Sequence, residues 1–187
     1  MLSTIRKVVK TLIAKHLEKA AEENHLLPDT QIKARADRFT KTALELLTRQ
    51  IYIIWGSKRH VATLLSVDIS GAFDTVNPTR LLDTLRKKRL PHWIVRWVQA
   101  FITSRNTTLV IQGHETPAFP INVRVPQGSP LSPILFSLYT AELHRIYNHL
   151  WEGLSRIGFA DDINLLTYLE STEANCRKLE RVHEKLL

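Results

Sequence analysis

Cysteine is nearly absent from these 187 residues: Cys176 stands alone. A single thiol excludes an intramolecular disulfide and a cysteine-based zinc cluster, and it suits a reducing, intracellular compartment. Long hydrophobic runs are missing as well. No apolar stretch nears the ~20 residues that a bilayer-spanning helix requires, so no membrane partner is expected. There is no secretory signal, internal repeat, low-complexity tract or linker-like segment. Acid is scarce beside base, with 18 Asp and Glu against 26 Lys and Arg, a net charge of +8 and a pI near 9.8. Such a balance implies a polyanionic partner, most often nucleic acid. Apolar residues are plentiful: 44% of the chain is hydrophobic, enough for a real core in one domain or slightly more.

The positive charge is uneven. From Arg80 to Arg105 run Arg80, Arg86, Lys87, Lys88, Arg89, Arg96 and Arg105, opposed only by Asp83. Taken together they are the best candidate for contact with a phosphate backbone; taken singly, Lys87 and Lys88 suit an ordinary solvated helix face. The first seventeen residues carry Arg6, Lys7, Lys10 and Lys15 and no acid, in the manner of a mitochondrial transit segment. The same stretch reads as a structural helix, so a nuclear or cytoplasmic location is expected, with a mitochondrial one as the alternative.

Apolar spacing predicts a helix from Thr4 to Glu23 through Ile5, Val8, Val9, Leu12, Ile13 and Leu17, then a polar loop from Leu26 to Arg38 and a second helix from Thr40 to Trp55. Val61 to Asp68 reads as a strand. Asn77-Pro78 starts a helix, Asn as its cap and Pro in its first turn, with Leu81, Leu82 and Leu85 as the buried stripe. Pro91 opens another helix, with Trp93, Ile94, Trp97, Val98 and Phe101 directed to the core. A strand pair follows, Thr107 to Ile111 and Ile121 to Val125. Ser132-Pro133 caps a long helix carrying Ile134, Leu135, Leu138, Leu143, Ile146 and Leu150, and a last helix runs from Glu173 to Leu187. The expectation is one continuous α+β unit.

Asp161 and Asp162 sit side by side in an otherwise apolar run, Gly158 to Leu166, which reads as two short strands joined by a tight turn. Adjacent carboxylates repel and need a cation. Asp68 ends another apolar strand, where Leu65, Val67 and Ile69 alternate with Ser66 and Asp68, so one face is apolar and the other carries the acid. Strand ends that present Asp68 and Asp161 to one place would make an all-oxygen site for Mg²⁺ or Mn²⁺. Ordinary turn chemistry also accounts for an Asp-Asp pair, and spacing alone leaves both readings open.

Three segments shift that balance. Val67-Asp68-Ile69-Ser70-Gly71-Ala72-Phe73-Asp74 resembles the first catalytic segment of reverse transcriptases. Val125-Pro126-Gln127-Gly128-Ser129-Pro130-Leu131-Ser132-Pro133 is similar to their template- and nucleotide-handling segment, and Phe159-Ala160-Asp161-Asp162 to their metal-binding hairpin. The spellings resemble most the non-LTR (LINE-like) retrotransposon polymerases. Order and rough spacing also match, over nearly the whole chain.

The resemblance implies a polymerase palm, an antiparallel sheet backed by helices, over residues 61–187. Partial fingers would occupy residues 1–60, the thumb would be missing, and the chain would stop in or after the helix that follows the metal-binding hairpin. The implied activity is RNA-directed DNA polymerisation with two Mg²⁺ or Mn²⁺ ions, acting on an RNA template, a DNA primer and deoxynucleoside triphosphates. Asp68 and Asp161 would bridge the ions, Asp162 would assist, and the carbonyl of Ile69 would add a ligand. Phe73 would exclude a 2′-hydroxyl by bulk, with a plain core position as its structural alternative. Gln127 and Gly128 would let backbone approach nucleotide or template.

Upstream, Gln31 to Thr40 resembles a fingers segment usually spelled Q-x-G-x-R-x-x-R-S-T, in which Arg35 and Arg38 would contact triphosphate or template; surface charge is their alternative. This chain departs from that spelling at Lys33 and Phe39, and a lysine forced into a left-handed backbone would cost about 1–2 kcal/mol. The competing functions are a catalytically inactive nucleic-acid-binding remnant and a domesticated interaction protein. With the thumb missing, the chain is expected to bind nucleic acid but to extend primers poorly or not at all.

Overall fold

The computed structural model describes residues 4–33, 35, 38–57, 60–103, 106–120, 125–150, 154–159 and 161–184, with backbone alone for 144–150. Its elements run α1 (Thr4–Glu23), α2 (Thr40–Gly56), β1 (Val61–Asp68), α3 (Ala72–Thr75), α4 (Pro78–Lys87), α5 (His92–Ile102), β2 (Asn106–Thr107), β3 (Val110–Ile111), β4 (His114–Glu115), β5 (Phe119–Pro120), α6 (Ser132–Leu150), β6 (Leu154–Phe159), β7 (Asp162–Leu169) and α7 (Thr172–Glu184).

The main sheet has the order β1-β7-β6, and both pairs are antiparallel. The alternation along β1 sets its two faces. Leu65 joins Ile163 and Leu165 of β7 in a cluster with Leu179 and Val182 of α7, while Ser66 and Asp68 are exposed. Asn175 of α7 is buried and donates to the Val61 carbonyl (2.7 Å) and to Thr63 Oγ1 (3.0 Å), which ties α7 to the start of β1. Helices are not confined to this side. On the other face α2 lies over Leu166 and Tyr168, and Ser155 Oγ of β6 donates to Gln50 Oε1 (2.7 Å). The end of that face carrying the acids stays exposed.

A larger core joins the helices. Ala14, Leu17 and Ala21 of α1 share one buried cluster with Leu81, Leu82 and Leu85 of α4, Ile94 and Val98 of α5, and Ile134, Leu135 and Leu138 of α6. Each fully buried Leu or Ile contributes roughly 1.5–3 kcal/mol. The α4 start follows its sequence: Asn77 Oδ1 accepts from the Arg80 N–H (3.2 Å), and Pro78 needs no donor at the first helical position.

Three expectations are revised. The α1 stripe is only partly core: Leu17 is buried and Ile13 packs at its edge, whereas Ile5, Val8, Val9 and Leu12 are exposed. The buried face runs instead through Ala14, Leu17 and Ala21, where the two alanines let α1 approach α6. Trp93 is 51% exposed and packs on His16 with ring centroids 5.6 Å apart, because Ile94 and Val95 take the inward positions at the start of α5. The expected strand pair after Thr107 is broken into two short ladders, β2 with β5 and β3 with β4, where Gln112 (φ 50) and Gly113 (φ 85) reverse the chain. The part of that expectation over 121–124 lies outside the described residues, as do Arg105, the side chains of Ile146 and Leu150, and 185–187 of the last helix.

Candidate active site

β1 and β7 pair without a break from Val61↔Leu169 to Asp68↔Asp162. Asp68 therefore lies directly across from Asp162, on one face of the sheet, where opposed Cβ atoms are roughly 5 Å apart. Alternation fixes which face, since the neighbouring Ile163 packs into the α7 cluster on the other side. One step further in, Ser66 Oγ donates to Asn164 Oδ1 (2.6 Å) and gives the open end a polar floor. Phe159 and Asp162 are the last partners of the β6–β7 ladder, which leaves Asp161 in the turn between them. The sequence reading paired Asp68 foremost with Asp161; the register makes Asp162 its facing partner and puts Asp161 one residue away.

Like charges opposed in a ladder are destabilising, by about 0.2–1 kcal/mol. None of the ion pairs among the described residues involves Asp68, Asp161 or Asp162. An all-carboxylate donor set of this kind fits a hard divalent cation. Among the described residues no three Asp, Glu, His or Cys side chains converge as one metal-holding group. A hard divalent ion that takes one or two carboxylates and completes its shell with water and substrate phosphates would not need a third side chain. Ile69, half-buried, uses its carbonyl to accept the Ala72 N–H (3.1 Å); a second lone pair remains on that oxygen.

The turn after β1 depends on Gly71, whose φ of 62 places it in the left-handed region that glycine enters without penalty. Its carbonyl accepts from Asp74 (2.8 Å) and Thr75 (2.9 Å) to start α3. This brings the ring of Phe73 against Phe136 of α6, with centroids 5.3 Å apart and planes tilted by 51°. The Phe73 carbonyl accepts from the Val125 N–H (3.3 Å), so segments 67–74 and 125–133 are joined through backbone. The Pro126 carbonyl accepts from Ser132 Oγ and from the Ser129 N–H, closing the loop onto the start of α6. Gln127 and Gly128 are left exposed at its tip, Gly128 with φ 78.

The two arginines expected to meet a triphosphate or template are otherwise engaged. Arg35 holds Glu22 in a bidentate pair through Nε (2.8 Å) and Nη2 (2.7 Å). Its Nη1 reaches the Pro28 carbonyl (3.1 Å) and Asp29 Oδ1 (3.3 Å), and its side chain is 5% exposed. The hydrogen bond from Arg35 holds the Glu22 carboxyl below its ordinary range and raises the arginine's own pKa. Arg38 donates to the Asp29 carbonyl (2.6 Å) and to Asp29 Oδ1 (3.4 Å). Both clasp the loop behind α1. Glu22 is 13 residues from Arg35, across a helix end, and no local pattern announces such a partner.

Lys33 is the residue that sequence reasoning undervalued. Gln31 bridges Gly158 in parallel, with the Ile32 N–H donating to the Gly158 carbonyl (2.9 Å) and the Gly158 N–H to the Thr30 carbonyl (2.8 Å). That contact sets the loop beside β6 and puts Lys33 Nζ 5.0 Å from the centre of the Phe159 ring, at the base of the acidic hairpin. Among the described residues the non-glycines with positive φ are His25, Arg89 and Gln112, so Lys33 avoids the left-handed cost. Its signal was the departure from the family's glycine.

A family model described as reverse transcriptase (RNA-dependent DNA polymerase) matches residues 1–187. The chain is 28% identical over 143 residues to the probable RNA-directed DNA polymerase from transposon BS of Drosophila melanogaster, covering 76% of this chain and 16% of that protein. It is 28% identical over 173 residues to the probable RNA-directed DNA polymerase from transposon X-element of the same organism, covering 92% and 19%. The chain thus spans less than a fifth of these relatives' length. In fold it is similar to telomerase from Candida albicans, solved in complex with a TWJ fragment of telomeric RNA: TM-score 0.65 at 14% identity, over 94% of this chain and 32% of that one. A match from the first residue to the last, with retrotransposon polymerases as relatives, means that this chain belongs to the reverse transcriptase (RNA-dependent DNA polymerase) family.

Proposed function

We propose that the chain is catalytic core of an RNA-directed DNA polymerase, residues 1–60 contributing partial fingers and residues 61–187 the palm. It joins deoxynucleotides to a DNA primer on an RNA template. The observation carrying this reading is the Asp68–Asp162 register at the open sheet end, beside the Phe73–Val125 backbone bond. In the step, the primer 3′-oxygen bonds to the α-phosphorus of the incoming triphosphate, the bond to the pyrophosphate oxygen breaks, and the hydroxyl proton passes to solvent. Two divalent ions, Mg²⁺ or Mn²⁺, would neutralise charge on the attacking and leaving oxygens. Asp68, Asp161 and Asp162 would hold them, with the Ile69 carbonyl as a further ligand. Strand ends hold Asp68 and Asp162, with Asp161 in the adjoining turn, which matters because positioning and charge neutralisation supply most phosphoryl-transfer catalysis.

Phe73, braced by Phe136, is the residue we assign to excluding the 2′-hydroxyl, and Gln127 and Gly128 to the nucleotide and template. Single-nucleotide addition to a primer on an RNA template, with Mn²⁺, tests the reading. Wild type should add deoxynucleotide slowly, Asp68→Asn should not, and Phe73→Val should accept ribonucleotide. Slow addition is expected because a primer end misplaced by about 1 Å costs ~100-fold, and no residue assigned above grips that end. Nucleic-acid binding without any addition would favour the non-catalytic remnant instead.

A further inference from the structure

Helices α1 and α4 end in the same unusual way. At the end of α1 the Leu26 N–H donates to the Ala21 carbonyl (2.9 Å) and the His25 N–H to the Glu22 carbonyl (3.2 Å). At the end of α4 the Leu90 N–H donates to the Leu85 carbonyl (3.2 Å) and the Arg89 N–H to the Arg86 carbonyl (2.9 Å). This paired closure needs a left-handed residue just past the helix, and glycine normally supplies it. Here His25 (φ 49) and Arg89 (φ 56) hold the left-handed turns, and the leucine after each is buried. A side chain at such a position is disfavoured, and strain of this kind collects at functional sites.

Both turns border one cavity of about 540 Å³, which Lys87, Lys88, Thr84 and Glu142 also line. Lys88, 6% exposed, donates to the Leu26 carbonyl (2.9 Å) and lies 3.9 Å from Glu142 Oε1, so it pins both helix ends to α6 and offsets the one acid. Lys87 and Arg89 are exposed and have no ion-pair partner among the described residues. Cations do favour helix C-termini through the macrodipole. Arg86 and Lys87 already meet that preference in the last turn of α4, so it does not account for a basic side chain on a left-handed backbone.

We propose that this pocket seats a phosphodiester group of a bound nucleic-acid strand, a second anchor that shares no residue with the aspartate-bearing end of the sheet. The inference rests on the nucleic-acid reading above. Phosphate in a strand and free phosphate offer the same chemistry, so the test separates them.

The 187-residue chain is titrated with a 20-base-pair DNA duplex by fluorescence anisotropy from 50 to 300 mM KCl, with inorganic phosphate as competitor in a second series. The variants are Arg89→Gly, Lys87→Gln/Arg89→Gly and, as a remote loss of one charge, Lys41→Gln. Expected are a log–log salt slope shallower by about 0.9 for each pocket charge removed and an unchanged slope for Lys41→Gln. Arg89→Gly should at the same time raise Tm by about 2–4 °C, because glycine relieves the turn. Slopes equal to wild type in the pocket variants would overturn the anchor while leaving the polymerase reading intact. So would a lower Tm for Arg89→Gly, which would make the arginine a fold element, or displacement by phosphate with duplex affinity unaltered by the variants. A wild-type chain that ignores the duplex would overturn the anchor and the nucleic-acid reading together.

Discussion

Asp68 of β1 faces Asp162 of β7 across the last rung of their ladder, and the ion pairs among the described residues leave both out. Two carboxylates so placed oppose folding until a cation joins them. Metal binding at the proposed site would therefore be tied to stability, which makes the proposal measurable without turnover.

Replacing Asp162 by Asn removes the cross-strand repulsion. Without metal, Asp162→Asn should stabilise the fold by about 0.2–1 kcal/mol, a rise in Tm of up to ~4 °C for a domain of this size. Added Mn²⁺ should then raise Tm less in the variant than in wild type. Thermal unfolding with and without Mn²⁺ measures both shifts; an equal metal response would remove Asp162 from the site.

Asp161 sits in the turn rather than on the ladder, so its part needs a separate measurement. Calorimetry should show weak Mn²⁺ binding by the chain alone and tighter binding with primer-template and nucleotide, whose phosphates complete the coordination. Asp161→Asn should weaken both by about tenfold or more, since affinity follows the count of charged ligands. Binding indistinguishable from wild type would restrict Asp161 to turn formation.

Arg35 gives the fold an acid-sensitive contact. Its hydrogen bond holds Glu22 below the ordinary carboxyl value of 4.5. A lowered acid stabilises the fold above its unfolded pKa, and that stability is lost as pH falls through the lower folded value. Unfolding free energy should therefore decline on acidification from about pH 4.5 downward, and Glu22→Gln should flatten this decline. At pH 7 the same substitution should cost about 1–3 kcal/mol, less than a fully buried pair because Glu22 keeps 30% of its side chain exposed. Glu18 runs the other way: burial raises its pKa, so its favourable contribution is present in acid and is lost as pH rises through the raised value. Urea titrations across pH 3 to 8 resolve the two signs.

Gly71 and Gly128 are held at φ 62 and φ 78, and an added Cβ would meet only Thr75 Cγ2 at 3.8 Å in the first and nothing within 4 Å in the second. Space is not their constraint. Alanine at either should cost about 1–2 kcal/mol from the backbone dihedral alone. At Gly56, the last residue of α2 and equally unobstructed, alanine should be neutral or stabilising by roughly 0.4–1 kcal/mol. Equal effects at all three positions in chemical denaturation would refute the dihedral argument.

Much of the candidate site was drawn from local patterns along the chain. Period-two alternation marked β1 and the face that Asp68 occupies. Asn77-Pro78 marked the start of α4 by the donor that proline lacks. The three motif segments marked the acids, Phe73 and the Gln127-Gly128 loop as candidates through their resemblance to reverse transcriptases. The Glu22 partner of Arg35 was not legible because it arrives from across a helix end, and the α1 stripe was overread because the pattern shows that a helix has an apolar side but not how much of it another element covers.

The sequence by itself determined the family, the order and type of the main elements, and the short list of aspartates, because motif, periodicity and capping are properties of neighbours along the chain. Only the tertiary structure decided that Asp162 is the aspartate facing Asp68, that Lys33 lies on Phe159, and that His25 and Arg89 turn into one pocket. Register and helix docking are settled by contacts between distant segments, and a slip of one residue along β7 would have exchanged every side chain between the two faces of the sheet.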